Sequence, residues 1–205
     1  MEERNNPTRA QMIALRDEAY QHAKECGFHD ETLSLEHFLC LVISELMEAV
    51  EADRKGRHCT HDLNYIYDVE DDAAFNTIFS TQVKDTVEDE LADAAIRLLD
   101  ILGLYECDGL TFQIAEKYGT MNGTFTEIAF RIIAIITDLV QLNEIKEVTL
   151  AGMRVPVTNV AVECIGTVLN CLMIWADRLD FDLIKHIELK MRYNRNRPHL
   201  HGKRY

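Results

Sequence analysis

The chain has 205 residues, of which 47% are hydrophobic, and a formal net charge of −14 at pH 7. This length allows one domain with a substantial core, or two small domains packed together. So acidic a chain does not attract a phosphate backbone, which excludes nucleic acid as an expected partner. Its longest apolar run, "AFRIIAIITDLVQL", is interrupted by Arg131 and Asp138. It falls short of the roughly 20 residues that cross a bilayer, so no membrane partner is expected.

The ends and the cysteines favour a cytoplasmic protein. The N-terminal "MEERNNPTRAQ" has no apolar run of the kind found in signal peptides. The six cysteines include no CxxC pair, as expected for reduced, structural thiols. The histidines of "HCTH", His58 and His61, have no second ligand pair at zinc-site spacing, so a solvated loop is predicted there.

Three prolines and few alternating β-branched runs predict an all-α protein. Helices are predicted, in chain order, over about 7–26, 34–54, 86–103, 110–118, 126–146, 157–179 and 182–195. The segment 57–80, "RHCTHDLNYIYDVEDDAAFNTIFS", shows no clear periodicity and predicts a long connection. Loops of this length inside compact domains are often functional, and its aromatic residues make it the place to look for nucleobase recognition.

The third predicted helix, "VEDELADAAIRLLDILG", carries an unusual polar stripe. At about 100° per residue, one narrow strip contains four charged residues, and nearly all the others are apolar. The members of this polar stripe are Glu90, Asp93, Arg97 and Asp100. Charged residues are rarely buried without partners, so the stripe requires an explanation.

A second acidic pair lies in "SELMEAVEADRKG". Glu45 and Glu48 are three residues apart and share a helix face, and Glu51 continues the same ridge. Packed side by side, this helix and the striped helix would aim four carboxylates at one point. An all-oxygen site of this kind suits Mg²⁺, with Mn²⁺ as the alternative ion. The predicted metal ligands are Glu45, Glu48, Glu90 and Asp93.

The C-terminal segment reverses the charge of the chain. From Lys190 onward it runs "KMRYNRNRPHLHGKRY", with six lysines and arginines and no acid. Such a tail is either a solvated end or an anion-binding segment. The acidic pairs favour anion binding, because a metal-bound phosphate would need cationic partners.

These three segments resemble the signature of the MazG-like superfamily of all-α nucleoside triphosphate pyrophosphatases. The resemblance lies in ExxE in "SELMEAVEADRKG", ExxD in "EDELADAAIRLLD", and the tail "IELKMRYNRNRPHLHGK". There are departures: Ser44 stands where the family often has a second acid, and the spacer between the pairs is long. A helical insertion also separates the ExxD helix from the tail.

The resemblance implies a Mg²⁺-dependent hydrolase that cleaves an NTP or dNTP to the monophosphate and pyrophosphate. Glu48 or Glu51 would accept the proton of the attacking water. The phosphates and sugar would be held by Lys190, Asn194, Arg197 and Lys203. The resemblance also implies a homo-oligomer, with a dimer as the expected form.

An internal similarity predicts a degenerate duplication within a single domain spanning 1–205. A shift of 73 positions aligns Glu90 with Glu163 and Leu99 with Leu172, while Asp93 faces Gly166. The active half would span about 30–122 and the degenerate half about 124–197. Shared helix periodicity is the alternative explanation of the match.

Helical carboxylates also occur in proteins with other functions. A ferritin-like di-metal bundle would need Glu-x-x-His pairs, and none of the acids of these segments has His three residues later. A non-catalytic MazG-like scaffold or oligomerisation module is the main alternative. Within the superfamily, a pyrophosphohydrolase acting on a modified nucleotide is a third possibility.

Overall fold

Helices dominate the computed structural model, which describes residues 7–106, 121–143, 147–150, 153–195 and 197. In these ranges the elements are α1 (Arg9–Glu25), α2 (Leu35–Arg54), α3 (Leu63–Tyr67), α4 (Asp72–Gln82), α5 (Val87–Leu104), α6 (Phe125–Asn143), β1 (Glu147–Leu150), β2 (Met153–Pro156), α7 (Val157–Arg178) and α8 (Leu183–Asn194). The all-α prediction is confirmed. Among the described residues, a short antiparallel hairpin of β1 and β2 lies in the predicted connection between α6 and α7.

Side-chain caps fix where the helices begin. The hydroxyl of Ser34 accepts from His37 N at the start of α2, and Asp182 accepts from Lys185 N at the start of α8. The hydroxyl of Thr86 accepts from Asp89 N at the start of α5. Gly56, at φ +65, provides the left-handed conformation in which the chain leaves α2. The predicted helix 110–118 lies outside the described residues, as do residues 144–146.

The connection over 57–80, expected to be long and partly ordered, contains more regular structure than the sequence indicates. The segment contains α3 and α4, which are capped by Asp62 and Asp71. Their buried residues Ile66, Phe75 and Phe79 form a second hydrophobic cluster together with Val83 and with Leu189 of α8. Because these apolar residues are divided between two short helices, no single periodicity runs through the segment.

Helix α5 lies at the centre of the bundle. It packs against α1, α2, α7 and α8, while α6 packs on α2 and α7. Packing on several sides explains why α5 is apolar almost all round. Its polar stripe therefore faces protein over most of its length.

The arrangement of the helices is compatible with the predicted duplication. The α2/α5 pair packs against the α6/α7 pair, with α2 on α6 and α5 on α7. The counterpart of α8 in the first half would be the segment 110–118, which lies outside the described residues. The duplication stays a prediction.

Among the described helices, none combines the length and apolar character needed to cross a membrane.

Gly103 permits close contact between α5 and α1. A Cβ added there would lie 2.4 Å from Tyr20 Cβ and 2.9 Å from Tyr20 Cγ. We expect Gly103→Ala to lower the free energy of unfolding by about 1–2 kcal/mol. This is the net of overpacking and the better helix propensity of alanine. Urea denaturation measures it, and Ala134→Ser, on the exposed face of α6, should stay within about 0.5 kcal/mol of wild type. An unchanged Gly103→Ala would contradict the close α1–α5 packing.

Candidate functional site

Three consecutive acids occupy the first turn of α5, and all three are buried. They are Glu88, Asp89 and Glu90. A helix N-terminus favours negative charge because its free N–H groups carry partial positive charge. Glu88 has local partners, since its Oε2 accepts from Cys59 N at 2.7 Å and its Oε1 lies 3.4 Å from His58 Nδ1. Glu88 therefore holds the chain after α2 against the start of α5.

Lys190 brings a buried positive charge from α8 to α5. Its Nζ donates to Asp89 Oδ2 at 2.7 Å and lies 2.8 Å from Asp93 Oδ2. Burial alone lowers the pKa of Lys190, but the carboxylates of Asp93 and Asp89 raise it above its usual value. Burial raises the pKa of Asp89 to about 6 even though Lys190 opposes the shift. The pair is charged at neutral pH and ties α8 to α5.

Arg97 forms a second ion pair between helices, which joins α5 to α2. Its Nη2 and Nε both lie 2.6 Å from Glu45 Oε1. Burial raises the pKa of Glu45, Arg97 counteracts this, and Asp93 adds to the increase. The structure places its hydrogen bond on Glu45, one of the predicted ligands.

Asp100, at the far end of the polar stripe, pairs with a histidine from the connection between α1 and α2. Asp100 Oδ1 lies 2.7 Å from His29 Nε2, and the His29 ring packs beside Tyr20 and Phe38. Burial raises the pKa of Asp100, and the bond to His29 lowers it. Much of the charge on the stripe is thus balanced inside the chain.

Glu90 is the exception. It is 5% exposed, and within the described residues no cation lies at ion-pair distance from its carboxylate. Carboxylate oxygens of Glu90, Glu45 and Asp93 lie within 4.8 Å of one another. Burial raises the pKa of Glu90 to about 8, and the charges of Asp89 and Asp93 add to the shift. An added cation is the partner that would let Glu90 ionise at neutral pH.

The charges around Glu90 fit a divalent ion. With every group ionised, four carboxylates (Glu45, Asp89, Glu90 and Asp93) face two cations, Lys190 and Arg97. The remaining charge is −2, the charge that one Mg²⁺ would neutralise. The oxygen-only donor set also suits a hard cation. A second group of acids, Asp85, Asp89 and Glu90, shares Glu90 with the first.

The structure brings together three of the four predicted metal ligands. Glu45, Glu90 and Asp93 form the cluster, whereas Glu48 is exposed on the next turn of α2 and lies outside it. Ser44 Oγ lies 3.5 Å from Glu48 Oε1. Glu51 lies 3.0 Å from both Arg54 Nη1 and Lys55 Nζ, and its pKa is lowered, chiefly by Lys55.

The predicted phosphate-binding residues occupy the C-terminal part of α8. Asn194 is buried, and Arg197 Nη1 donates to its Oδ1 at 3.3 Å. Lys190 lies one helical turn earlier, in its pair with Asp89 and Asp93. Lys203 lies outside the described residues.

Asp89 is the functional residue that the sequence analysis missed. Asp89 lies off the polar stripe, so the spacing of the acids gave no reason to select it. Its partner Lys190 is 101 positions away. The feature of the sequence that could have indicated Asp89 is the run of three acids in the first turn of a helix that is otherwise largely apolar.

No protein-family model, curated protein or solved structure matches this chain.

Removing the lysine should leave a buried carboxylate without its partner. We expect Lys190→Met to lower the free energy of unfolding by about 3–5 kcal/mol. Asp89→Asn/Lys190→Met should lose less than the sum of the two single variants, because neither charge is then left alone. Urea denaturation of the full cycle measures this coupling. Additive losses would show that the two charges do not interact.

Glu90 should make metal-free stability depend on pH. Its pKa is about 8 in the folded state against 4.5 for an ordinary glutamate, so the folded state holds this proton more tightly. The contribution of Glu90 to the free energy of unfolding therefore falls as the pH rises from about 4.5 to about 8. In EDTA, Glu90→Gln should be more stable than wild type at pH 8, by on the order of a few kcal/mol, with little difference near pH 4.5.

The matched control is Glu31→Gln, an exposed position in the connection between α1 and α2. Its difference from wild type should not change with pH. Parallel pH profiles of wild type and Glu90→Gln, measured by urea denaturation, would contradict the raised pKa.

Proposed function

We propose that this protein is a Mg²⁺-dependent nucleoside triphosphate pyrophosphohydrolase, which converts an NTP or dNTP to the monophosphate and pyrophosphate. The observation that carries the proposal is Glu90, a buried carboxyl without a cation, beside Glu45 and Asp93. A buried acid cluster with excess negative charge is costly unless a cation joins it. The resemblance of these segments to MazG-like enzymes supports the same function.

Glu45, Glu90 and Asp93 would hold the metal. Bound there, Mg²⁺ would offset the charge of the triphosphate and increase the acidity of a coordinated water. Arg97 keeps Glu45 in place through its 2.6 Å bond, and Lys190 does the same for Asp93. The ligands are therefore oriented by the fold before a metal arrives.

Glu48 is the better candidate for the base that accepts the proton of the attacking water. It lies one turn from Glu45 on α2 and is exposed, so it can contact solvent and substrate. Glu51 is less suitable, since Lys55 lowers its pKa and both Lys55 and Arg54 pair with it. A general base within reach of a single water supplies a substantial part of such catalysis.

The basic end of α8 would bind the phosphates. Lys190 is buried with its ammonium on Asp89 and Asp93, so it would act on the phosphates through the positive charge that it places beside the acidic cluster. Asn194 and Arg197 follow on the next turns. Lys203 would contribute from outside the described residues. A homodimer in the cytoplasm belongs to the same proposal.

A non-catalytic helical scaffold is the second candidate, and one observation favours it. Three residues of the polar stripe, Asp93, Arg97 and Asp100, already have partners of opposite charge within the chain. The stripe would then serve to hold α1, α2, α5 and α8 together. A scaffold of this kind would not gain stability from Mg²⁺ and a nucleotide.

A pyrophosphate-release screen over standard and modified NTPs and dNTPs, with Mg²⁺ or Mn²⁺, tests the enzyme. We expect turnover of at least one nucleotide. Glu90→Gln and Asp93→Asn should abolish it, because each removes a ligand charge while the side-chain shape is kept. Glu48→Gln should reduce kcat by about 100-fold or more. Glu31→Gln, at an exposed position between α1 and α2, is the control that should keep full activity.

Thermal melting with Mg²⁺ and the nucleotide separates the two candidates. A site that binds both should raise the melting temperature of wild type, by mass action, and leave that of Glu90→Gln almost unchanged. If no nucleotide releases pyrophosphate and the melting temperature does not change, the result would favour the scaffold.

A further inference from the structure

Among the described residues, two cations contact the acidic cluster of Glu45, Glu90 and Asp93, and solvent reaches one of them better than the other. The Lys190 side chain is 4% exposed, and its Nζ lies 2.8 Å from Asp93 Oδ2. The Arg97 side chain is 26% exposed, although its partner Glu45 is only 5% exposed. A phosphate that arrives from solvent can therefore contact Arg97, whereas Lys190 is covered.

Within the protein, Arg97 uses only one edge of its guanidinium. Its Nε and Nη2 both lie 2.6 Å from Glu45 Oε1. A guanidinium has five N–H groups in a fixed planar arrangement, so a second edge, formed by Nη1 and Nη2, presents two further donors. Among the described residues, no acceptor lies at hydrogen-bond or ion-pair distance from Nη1. Asp100, the next acid of the polar stripe, is bonded to His29 instead. Arg97 thus keeps a pair of donors for a partner outside the described residues.

Two parallel N–H donors on a cation match two oxygens of one anion. Phosphates and carboxylates accept such a pair in a bidentate way, with charge-assisted hydrogen bonds that are stronger than neutral ones. A base carbonyl offers a single oxygen and no charge. In a nucleotide, the phosphates are therefore the groups that this edge of Arg97 fits.

Arg97 is placed where the phosphates of a metal-bound nucleotide would lie. It contacts Glu45, one of the proposed metal ligands, and Asp93, another, is four residues earlier on α5, a rise of about 6 Å. The acidic cluster by itself repels a triphosphate, because like charges repel most strongly where water is excluded. A partly exposed guanidinium beside the cluster reduces this repulsion.

We propose that Arg97 binds a phosphate group of the nucleotide through Nη1 and Nη2, while its Nε side keeps Glu45 in place. The inference rests on the proposed function, because it needs a triphosphate at the acidic cluster. It adds a phosphate contact from α5 to those proposed for the basic end of α8. One rigid group would then hold both a metal ligand and the substrate, which fixes their relative positions.

The first test measures anion binding without turnover. Wild type and variants, in excess Mg²⁺, are titrated with inorganic pyrophosphate in a calorimeter. Arg97→Gln should raise the Kd for pyrophosphate at least about tenfold, since it removes the charged donor pair but keeps an N–H donor for Glu45. Arg97→Lys keeps a cation for Glu45 and loses the parallel pair, so it should also bind more weakly. Arg178→Gln, an exposed position at the end of α7, makes the same charge change as Arg97→Gln and should leave the Kd unchanged.

Mn²⁺ binding without pyrophosphate separates a substrate contact from a purely structural role. If Arg97 only positions Glu45, its replacement weakens the metal site, and pyrophosphate loses affinity in the same proportion. We expect Arg97→Lys to keep the Kd for Mn²⁺, measured by electron paramagnetic resonance, within about threefold of wild type. A loss of pyrophosphate affinity no larger than the loss of Mn²⁺ affinity would overturn the proposal. So would wild type that does not bind pyrophosphate.

Kinetics distinguish the failure of this proposal from the failure of the reaction. With a nucleotide that is cleaved, Arg97→Lys should raise KM about tenfold and leave the Mg²⁺ concentration for half-maximal rate unchanged. Pyrophosphate binding that depends on Arg97, with no nucleotide cleaved, would overturn the reaction and keep the contact. Cleavage with unchanged KM and unchanged pyrophosphate affinity in both Arg97 variants would overturn the contact and keep the reaction.

Discussion

The buried ion pair of Lys190 with Asp89 and Asp93 is the constraint on which the site depends. It joins α8 to α5 across 101 positions of sequence and places a positive charge beside the acidic cluster. An isolated buried charge is very costly, so the lysine and the aspartates can be buried here only together. The pair also fixes Asp93, which places one oxygen near those of Glu45 and Glu90. Stability and the geometry of the cluster thus come from the same contact.

The other charges extend this arrangement along α5. Arg97 binds Glu45 of α2, and Asp100 binds His29, so successive turns of one helix are tied to different parts of the chain. Glu90 is buried with a raised pKa, and no cation lies at ion-pair distance from it among the described residues. In a bundle that otherwise balances its buried charges, such an exception points to a ligand that the chain does not supply itself. It therefore carries the metal-site proposal.

The second hydrophobic cluster gives the segment between α2 and α5 a definite role. Phe75 and Phe79 of α4 are fully buried, and Tyr193 of α8 stacks on Phe79. This packing holds α4 against the C-terminal part of α8. The segment between α2 and α5 therefore supports the helix that carries Lys190.

The sequence by itself determined the all-α class, most helix boundaries and the acids Glu45, Glu90 and Asp93, because these follow from local periodicity, capping and spacing. It did not determine the helices α3 and α4, whose apolar residues find their partners only in tertiary packing. Nor did it single out Asp89, or show that Glu90 is buried with no cation at ion-pair distance among the described residues. Pairing depends on which distant side chains meet, and that is decided by how α2, α5 and α8 pack together.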